Sequence, residues 1–223
     1  MIVFAIDAAL GGFSAAVVND GKPIALEEIS GNVALEQGLS AVLGVLRAAG
    51  LAPAAIDRLA VGIGPGSFTG VRIAISYAKS LALGWHRPLV GVNSFDAIEA
   101  GMRIPEPVLT VVRGRTGVVS VRLRAAGAEH RASGYVNDVL GELGEPQGTL
   151  SVIGAAEDVL PGLAERGFSV QKLEREIHPT ALAVAAVAAS REPARSSHEI
   201  RADYGELPAA KIPKLRGALG ESS

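Results

Sequence analysis

Apolar and polar positions along the chain fall into two periods. Short apolar blocks at residues 2–6, 13–18 and 23–29 predict strands, the first ending on Asp7. A small-residue turn at 8–12 separates the first two, and Asn19-Asp20-Gly21 predicts a hairpin between the second and third. From 33 to 50 the spacing turns helical: Leu35, Leu39, Val42, Leu43 and Leu46 make one apolar stripe, with Gly50 as the stop. Ala41, Val45 and Ala48 form a second, smaller face. Residues 59–63 are apolar and short enough for a buried strand. After a glycine-rich loop, 71–84 predicts a helix closed by its last glycine, with Ala74, Ala78 and Ala82 at i+4 beside Ile73, Tyr77 and Leu81. Small residues in register let helices approach closely, so this helix has one candidate face for a sheet and one for another helix. Residues 88–92 predict a strand, and 94–101 a short helix capped by Ser94.

The Pro-rich stretch 103–107 divides the chain. Beyond it, strands are predicted at 108–112 and 118–123, around the turn Arg113-Gly114-Arg115-Thr116-Gly117. A helix at 136–143, a strand at 150–153 and helices at 157–166 and 179–190 follow. The last helix is Ala- and Val-rich, hence buried on most sides. The expected organisation is a lobe over 1–102, a lobe over 107–190 whose last helix packs back on the first, and a polar tail over 191–223. Arg122, Arg124, His130 and Arg131 make a mildly basic patch, expected on a solvated strand edge.

Composition narrows the function classes. In 223 residues, 48% hydrophobic and 20% charged describe a globular chain, and a net charge of −2 gives no broad basic field for autonomous nucleic-acid binding. There are no cysteines, so disulfides and thiolate metal sites are excluded. No basic region precedes residues 2–6, and no long uninterrupted apolar run exists. The expectation is a cytoplasmic protein without signal peptide or membrane span. His86, His130, His178 and His198 show no i, i+4 pairing, and Ser67 lacks a Gly-x-Ser-x-Gly elbow, so neither a zinc site nor a serine hydrolase is expected.

The organising stretch is Gly64-Pro65-Gly66-Ser67-Phe68-Thr69-Gly70-Val71-Arg72-Ile73. Glycines and proline permit tight turns where strand passes to helix, and Ser67 or Thr69 can cap the first helical turn. Two readings stand open: a loop that receives a phosphate or carboxylate at a helix N-terminus, or a tight connector. It is neither a Walker loop nor a dinucleotide fingerprint.

This string, continued by Ala-Lys-Ser-Leu-Ala-Leu-Gly ending at Gly84, resembles the TsaB (YeaZ) family of bacterial tRNA threonylcarbamoyladenosine biosynthesis proteins. The resemblance implies an α/β, actin-like (ASKHA, ribonuclease H-like) duplicated two-lobe fold. It makes Asp7, Gly11, Gly12 and Ser14 the outline of a first phosphate loop. Gly64, Pro65, Gly66, Ser67, Thr69, Gly70 and Arg72 are further nucleotide-loop candidates. The chain departs from the pattern in places. Ala8, Ala9 and Leu10 stand where hydroxyls are usual, and Ala34 and Leu35 replace His-Ser before Glu36. Gly154-Ala155-Ala156 is a thin adenosine turn, and Val118 stands where Glu is frequent. Arg113 occupies the place of the second-loop Asp. An Arg for an Asp inverts the charge that positions a metal, so phosphoryl transfer is not expected, and no catalytic residue or metal ligand is assigned.

The family implies a non-catalytic scaffold that binds and activates a TsaD-like threonylcarbamoyltransferase, with a TsaE-like ATPase in the same assembly and tRNA reached only through the complex. Leu39, Val42, Ala74, Tyr77, Ala78 and Leu81 are the expected partner interface, which could also pair two copies of the chain. No cofactor is required of this chain, although ATP or ADP could sit at the partner interface. The main rival is a stand-alone ATPase or small-molecule kinase of the same superfamily. A peptidase has no metal or nucleophile set to support it. Ala202-Asp203-Tyr204 and Lys211-Ile212-Pro213-Lys214-Leu215-Arg216 distantly resemble the family's tail.

Overall fold

The computed structural model describes residues 1–30, 36–145, 148–174 and 180–205. Strands β1 (Ile2–Asp7), β2 (Phe13–Asn19), β3 (Lys22–Ile29), β4 (Arg58–Gly64) and β5 (Leu89–Asn93) form one sheet in the order β3-β2-β1-β4-β5. Strands β6 (Val108–Arg113), β7 (Val118–Ala125), β8 (Ala128–Tyr135), β9 (Thr149–Gly154) and β10 (Ser169–Lys172) form the second, in the order β10-β9-β6-β7-β8. Each sheet starts as a meander and adds its last two strands in parallel on the other side of its first strand. β1 pairs antiparallel with β2 and parallel with β4, and β6 does the same with β7 and β9. This is the duplicated actin-like architecture.

The helices are α1 (Gly38–Ala49), α2 (Phe68–Trp85), α3 (Ser94–Glu99), α4 (Val136–Gly141), α5 (Leu160–Glu165) and α6 (Thr180–Ala188). Helices α1 and α2 cover one face of the first sheet. Val42, Val45 and Leu46 of α1 and Val71, Ala74 and Ala78 of α2 pack there with Phe4, Ile6, Phe13 and Leu59. The opposite face buries Val3, Ala5, Ala16, Val18 and Ala60 against Ala181, Val184, Ala185 and Ala188 of α6. The last helix therefore returns across the second lobe to close the first. In the second lobe, α4 and α5 cover Leu109, Val111, Val119, Val121 and Val152.

Local signals move several boundaries. Gly50 ends α1 in the left-handed region as expected (φ 64°), whereas the expected start of that helix, with Leu35, lies outside the described residues. Helix α2 begins three residues earlier than its periodicity suggested, because the Ser67 hydroxyl accepts from the Gly70 N–H and fixes the first turn at Phe68. It ends on a left-handed His86 and not on Gly84. Asn93, not Ser94, caps α3: its Oδ1 accepts from the Phe95 N–H at 2.9 Å. Strand β8 was legible only as a basic patch, and β10 was not foreseen.

The segment after Arg191, read as a polar tail, is docked as far as residue 205. Ile200 is buried, the Asp203 N–H donates to the Ile63 carbonyl at 2.7 Å, and Asn93 Nδ2 donates to Asp203 Oδ2 at 2.8 Å. The Lys211–Arg216 string lies outside the described residues.

Candidate functional site

In each lobe the loops after the first strand and after its parallel neighbour meet at one sheet end, where open α/β sheets place their ligands. A cleft of about 440 Å³ lies between the four loops. Ala9, Leu10, Gly11 and Ser67 form the first-lobe wall; Val111, Val112, Arg113, Gly114, Gly154, Ala155 and Glu157 form the second. The walls are mostly apolar or backbone.

The sequence candidates distribute unevenly around it. Only Gly11 and Ser67 line the cleft. Asp7 is 2% exposed and turned away: its Oδ2 accepts from Thr180 Oγ1 at 2.6 Å and from the Ala9 N–H at 3.2 Å. Ser14, also buried, lies 3.0 Å from Thr180 Oγ1 and accepts from the Ala181 N–H at 3.1 Å. Asp7 and Ser14 thus hold the N-terminus of α6, where a carboxylate is favoured by the helix dipole. Both residues anchor that helix, and neither lines the cleft. Gly12 lies behind the cleft, against the Ile29 carbonyl.

The 64–70 loop packs on the first loop. The Ser67 N–H donates to the Ala9 carbonyl at 2.7 Å. A Cβ on Gly66 would collide with that same carbonyl oxygen, and one on Gly70 with the Ala8 oxygen. Glycine stands at both positions because backbone occupies the space a side chain would need. Gly64 and Pro65 are buried beneath residues 203 and 205. Thr69 and Arg72 are exposed on the outer side of α2. Two of the loop's amides, those of Ser67 and Gly70, are turned to the protein.

On the opposite wall, Arg113 meets Asp158 in a two-pronged ion pair, Nε–Oδ2 at 2.7 Å and Nη2–Oδ1 at 3.0 Å. The hydrogen bonds that Arg113 donates to Asp158 raise its pKa above the ordinary value. The neighbouring Glu157 is held below the usual carboxylate range by a hydrogen bond from Lys172. The second-loop position therefore carries a fixed cation already matched to its own acid. Among the described residues no three His, Cys, Asp or Glu side chains gather in a metal-holding group.

Residues 34–191 match the family described as TsaD: tRNA N6-adenosine threonylcarbamoyltransferase. The chain belongs to this family. The tRNA threonylcarbamoyladenosine biosynthesis protein TsaB of Escherichia coli (strain K12) is 40% identical over 101 residues, 45% of this chain and 44% of that protein. The tRNA N6-adenosine threonylcarbamoyltransferase of Trichlorobacter lovleyi is 28% identical over 205 residues, 82% of this chain and 57% of the relative. The chain spans less than two thirds of the length of these curated relatives. Among solved structures, YeaZ from Pseudomonas aeruginosa superposes with a TM-score of 0.66 at 23% identity, covering 91% of this chain and 99% of that one. The TsaB (YeaZ) resemblance read from the motif stands on these relatives.

Two further features of this TsaD-family chain bear on function. The first is the outer face of α1 and α2. The expected interface mixed both sides of these helices. Val42, Ala74 and Ala78 are at most 1% exposed and face the sheet, because the close approach their small size allows is used there. Those three are corrected to core. Tyr77 and Leu81 are half-buried, Tyr77 standing edge-on to Phe13 with ring centroids 5.9 Å apart. Leu39 (51% exposed) and Leu43 (50%) on α1, and Phe68 (56%) and Leu83 (74%) on α2, are the open large apolar positions of the two helices.

The second feature is a seam between the lobes that sequence reading placed on a solvated edge. Arg122 is buried: Nη1 donates to Asp96 Oδ1 at 2.5 Å, Nη2 lies 2.8 Å from Glu99 Oε1, and the guanidinium sits over the Phe95 ring. Arg124 donates to Glu99 and Arg191 to Asp96, each at 2.6 Å, and the Thr110 hydroxyl donates to Glu99. Burial works against an ionised Asp96, but hydrogen bonds from Arg122 and Arg191 outweigh it and hold its pKa below the ordinary value. Alternation along β7 carried the signal. Val119, Val121 and Leu123 face one side and Ser120, Arg122 and Arg124 the other, toward the acids three residues apart on α3.

Proposed function

We propose that this chain is a non-catalytic scaffold and activator in tRNA N6-threonylcarbamoyladenosine synthesis, docking a TsaD-like threonylcarbamoyltransferase through the outer face of α1 and α2. The observation that carries the reading is the pair of exposed leucines, Leu39 and Leu43, one helical turn apart on α1, beside Tyr77 of α2, whose ring lies against Gly38. Large apolar side chains left open one turn apart on a surface helix fit a helix-to-helix interface, which for a specific complex buries roughly 1,200–2,000 Å². The corrected face is Leu39, Leu43, Tyr77 and Leu81. Family membership supplies the chemistry of the partner. A TsaE-like ATPase belongs to the same assembly, and tRNA is reached through it. Two copies of this chain pair through the same leucines when the catalytic subunit is absent. No helix among the described residues is long and apolar enough to cross a membrane, which is compatible with work on tRNA in the cytoplasm.

The rival reading, a stand-alone ATPase or kinase, asks Asp7 and Arg113 for roles they are not placed to fill. Asp7 is committed to α6 and Arg113 to Asp158. No cofactor is required of this chain. The deciding experiment mixes the purified chain with the TsaD-like subunit of the same organism and follows complex formation by sedimentation. Leu43→Glu should keep the native circular dichroism and weaken the complex about thirtyfold, the effect of losing one central contact. Unchanged affinity overturns the docking face. Magnesium-dependent ATP turnover by the chain alone overturns the non-catalytic assignment.

A further inference from the structure

The glycine-rich 64–70 loop is gripped from two sides. The first loop takes one side, where the Ala9 and Ala8 carbonyls fill the space beside Gly66 and Gly70. Residues 200–205 take the other. The Asp203 carbonyl oxygen occupies the place of a Gly64 Cβ, at a residue whose φ of 93° already favours glycine. The Asp203 N–H donates to the Ile63 carbonyl at 2.7 Å, and Tyr204 stacks on Phe68 with ring centroids 4.8 Å apart. Gly205 lies against Pro65. The segment thus touches the end of β4, the loop and the first residue of α2 in turn.

It also reaches past the first lobe. Asn93 holds it with one end of its amide, Nδ2 donating to Asp203 Oδ2 at 2.8 Å, and with the other end caps α3, the helix of the charged seam. The second Asp203 carboxylate oxygen accepts from the Gly205 N–H at 2.9 Å. That turn sets Gly205 on the second lobe. A side chain there would collide with the hydroxyls of Ser120 on β7 and Ser133 on β8, which are themselves hydrogen-bonded at 2.8 Å. Little of the segment is sunk in the core: Ile200 is buried, but Tyr204 is 38% exposed, and hydrogen bonds through Asp203 hold the far end. A short segment with few buried apolar contacts opens at a lower free energy than the whole fold.

We propose that residues 200–205 are a releasable strap that sets the stiffness of α2, and through it the affinity for a partner docked on that helix. Closed, the strap pins the 64–70 loop and the first turn of α2 between the first loop and the second lobe. Open, it lets that turn fray on the helix that carries Tyr77 and Leu81. A frayed helix must be ordered again on docking, so opening lowers affinity with no change in the docking residues themselves. The effect on a partner rests on the docking face proposed above; the hold on α2 does not.

Hydrogen exchange of the full chain, read by mass spectrometry, tests the hold. Asp203→Ala removes both carboxylate bonds, and Tyr204→Ala removes the stack. Each should speed exchange across residues 66–75 about tenfold, as expected when an opening equilibrium loses one ordinary tertiary contact. Tyr204→Phe keeps the ring and should exchange like the parent. Helices α4 and α5 of the second lobe should be unchanged in all three variants. Parent-like exchange across 66–75 in both alanine variants overturns the proposal. So does a rise that spreads equally to α4 and α5, which would make the segment part of the global core. Sedimentation with the TsaD-like subunit reads the effect on docking: Asp203→Ala should weaken the complex about three- to tenfold, a usual size for coupling between separate elements. Faster local exchange with parent affinity overturns the control of docking. Leu43→Glu should do the reverse, weakening the complex while exchange across 66–75 stays at the parent rate. Absence of any complex with the parent chain overturns the docking reading, and the strap then stands or falls by exchange alone.

Discussion

A single hydroxyl ties the two ends of the fold together. Thr180 Oγ1 donates to the buried Asp7 carboxylate and is joined by the Ser14 hydroxyl. A buried acid that loses a donor bears the desolvation cost of the unmet lone pair. Thr180→Val keeps the volume and removes only that donor, so it should cost about 1–3 kcal/mol of unfolding free energy in urea titration. Thr180→Ser should recover most of it. If both variants unfold like the parent, the hydroxyl is not what anchors α6. Arg113 belongs at the same scale: the identity of one side chain, paired to Asp158, decides the character of a whole cleft wall.

For the elements, the pattern of α2 was legible and its orientation was not. Apolar residues at Ala74, Ala78 and Ala82 identify a helix face but not its partner, because small residues suit a sheet and a second helix equally. What settles orientation is the neighbouring polar stripe, Thr69, Arg72, Ser76 and Ser80, which is exposed and places the alanines underneath. Ala78→Glu should therefore unfold the protein and not merely uncouple it, with a loss of more than about 4 kcal/mol from an unpaired buried charge. Folded, partner-binding Ala78→Glu protein would return the alanines to the interface. The central strands, the hairpin and the two-lobe division were readable because alternation and turn residues are local signals. The bond from Thr180 to Asp7 was not readable, because a carboxylate at a strand end looks the same whether its partner is a ligand or a helix more than 170 residues away. Strand β8 was obscured for a related reason: it carries Glu129, His130 and Arg131, and its pairing with β7 is what makes it a strand.

At the scale of the molecule, the lobes are fastened by charge at the α3 seam as well as by chain. Arg122 is 5% exposed and serves two acids, so Arg122→Met should cost about 3–5 kcal/mol at neutral pH by leaving the half-buried Asp96 and Glu99 without a shared partner. The pH dependence follows from the lowered pKa of Asp96. In the parent its contribution is complete above the ordinary aspartate range and fades as pH falls through the lowered folded value. In the variant, burial without Arg122 favours the protonated acid, so acidification relieves the defect. Urea unfolding of both proteins at neutral pH and below about pH 4 should show the difference shrinking in acid. A gap that is constant or widens with acid would mean that the seam is held by packing on Phe95 and not by its charges.

The return of α6 to the first sheet has a consequence in time. A ribosome delivers β1, β2, β4 and β5 early, yet the face bearing Val3, Ala5, Ala16, Val18 and Ala60 waits for residues 181–188. Until then the first lobe is a half-covered sheet, exposed on the side that burial against α6 later protects. The second lobe, whose α4 and α5 lie within its own stretch of chain, carries the cover for that face of its sheet and needs no later segment for it. Its completion brings α6 within reach of Asp7. The nascent protein is thus finished from its far end backwards, and the half made first is the one that most needs shelter during synthesis.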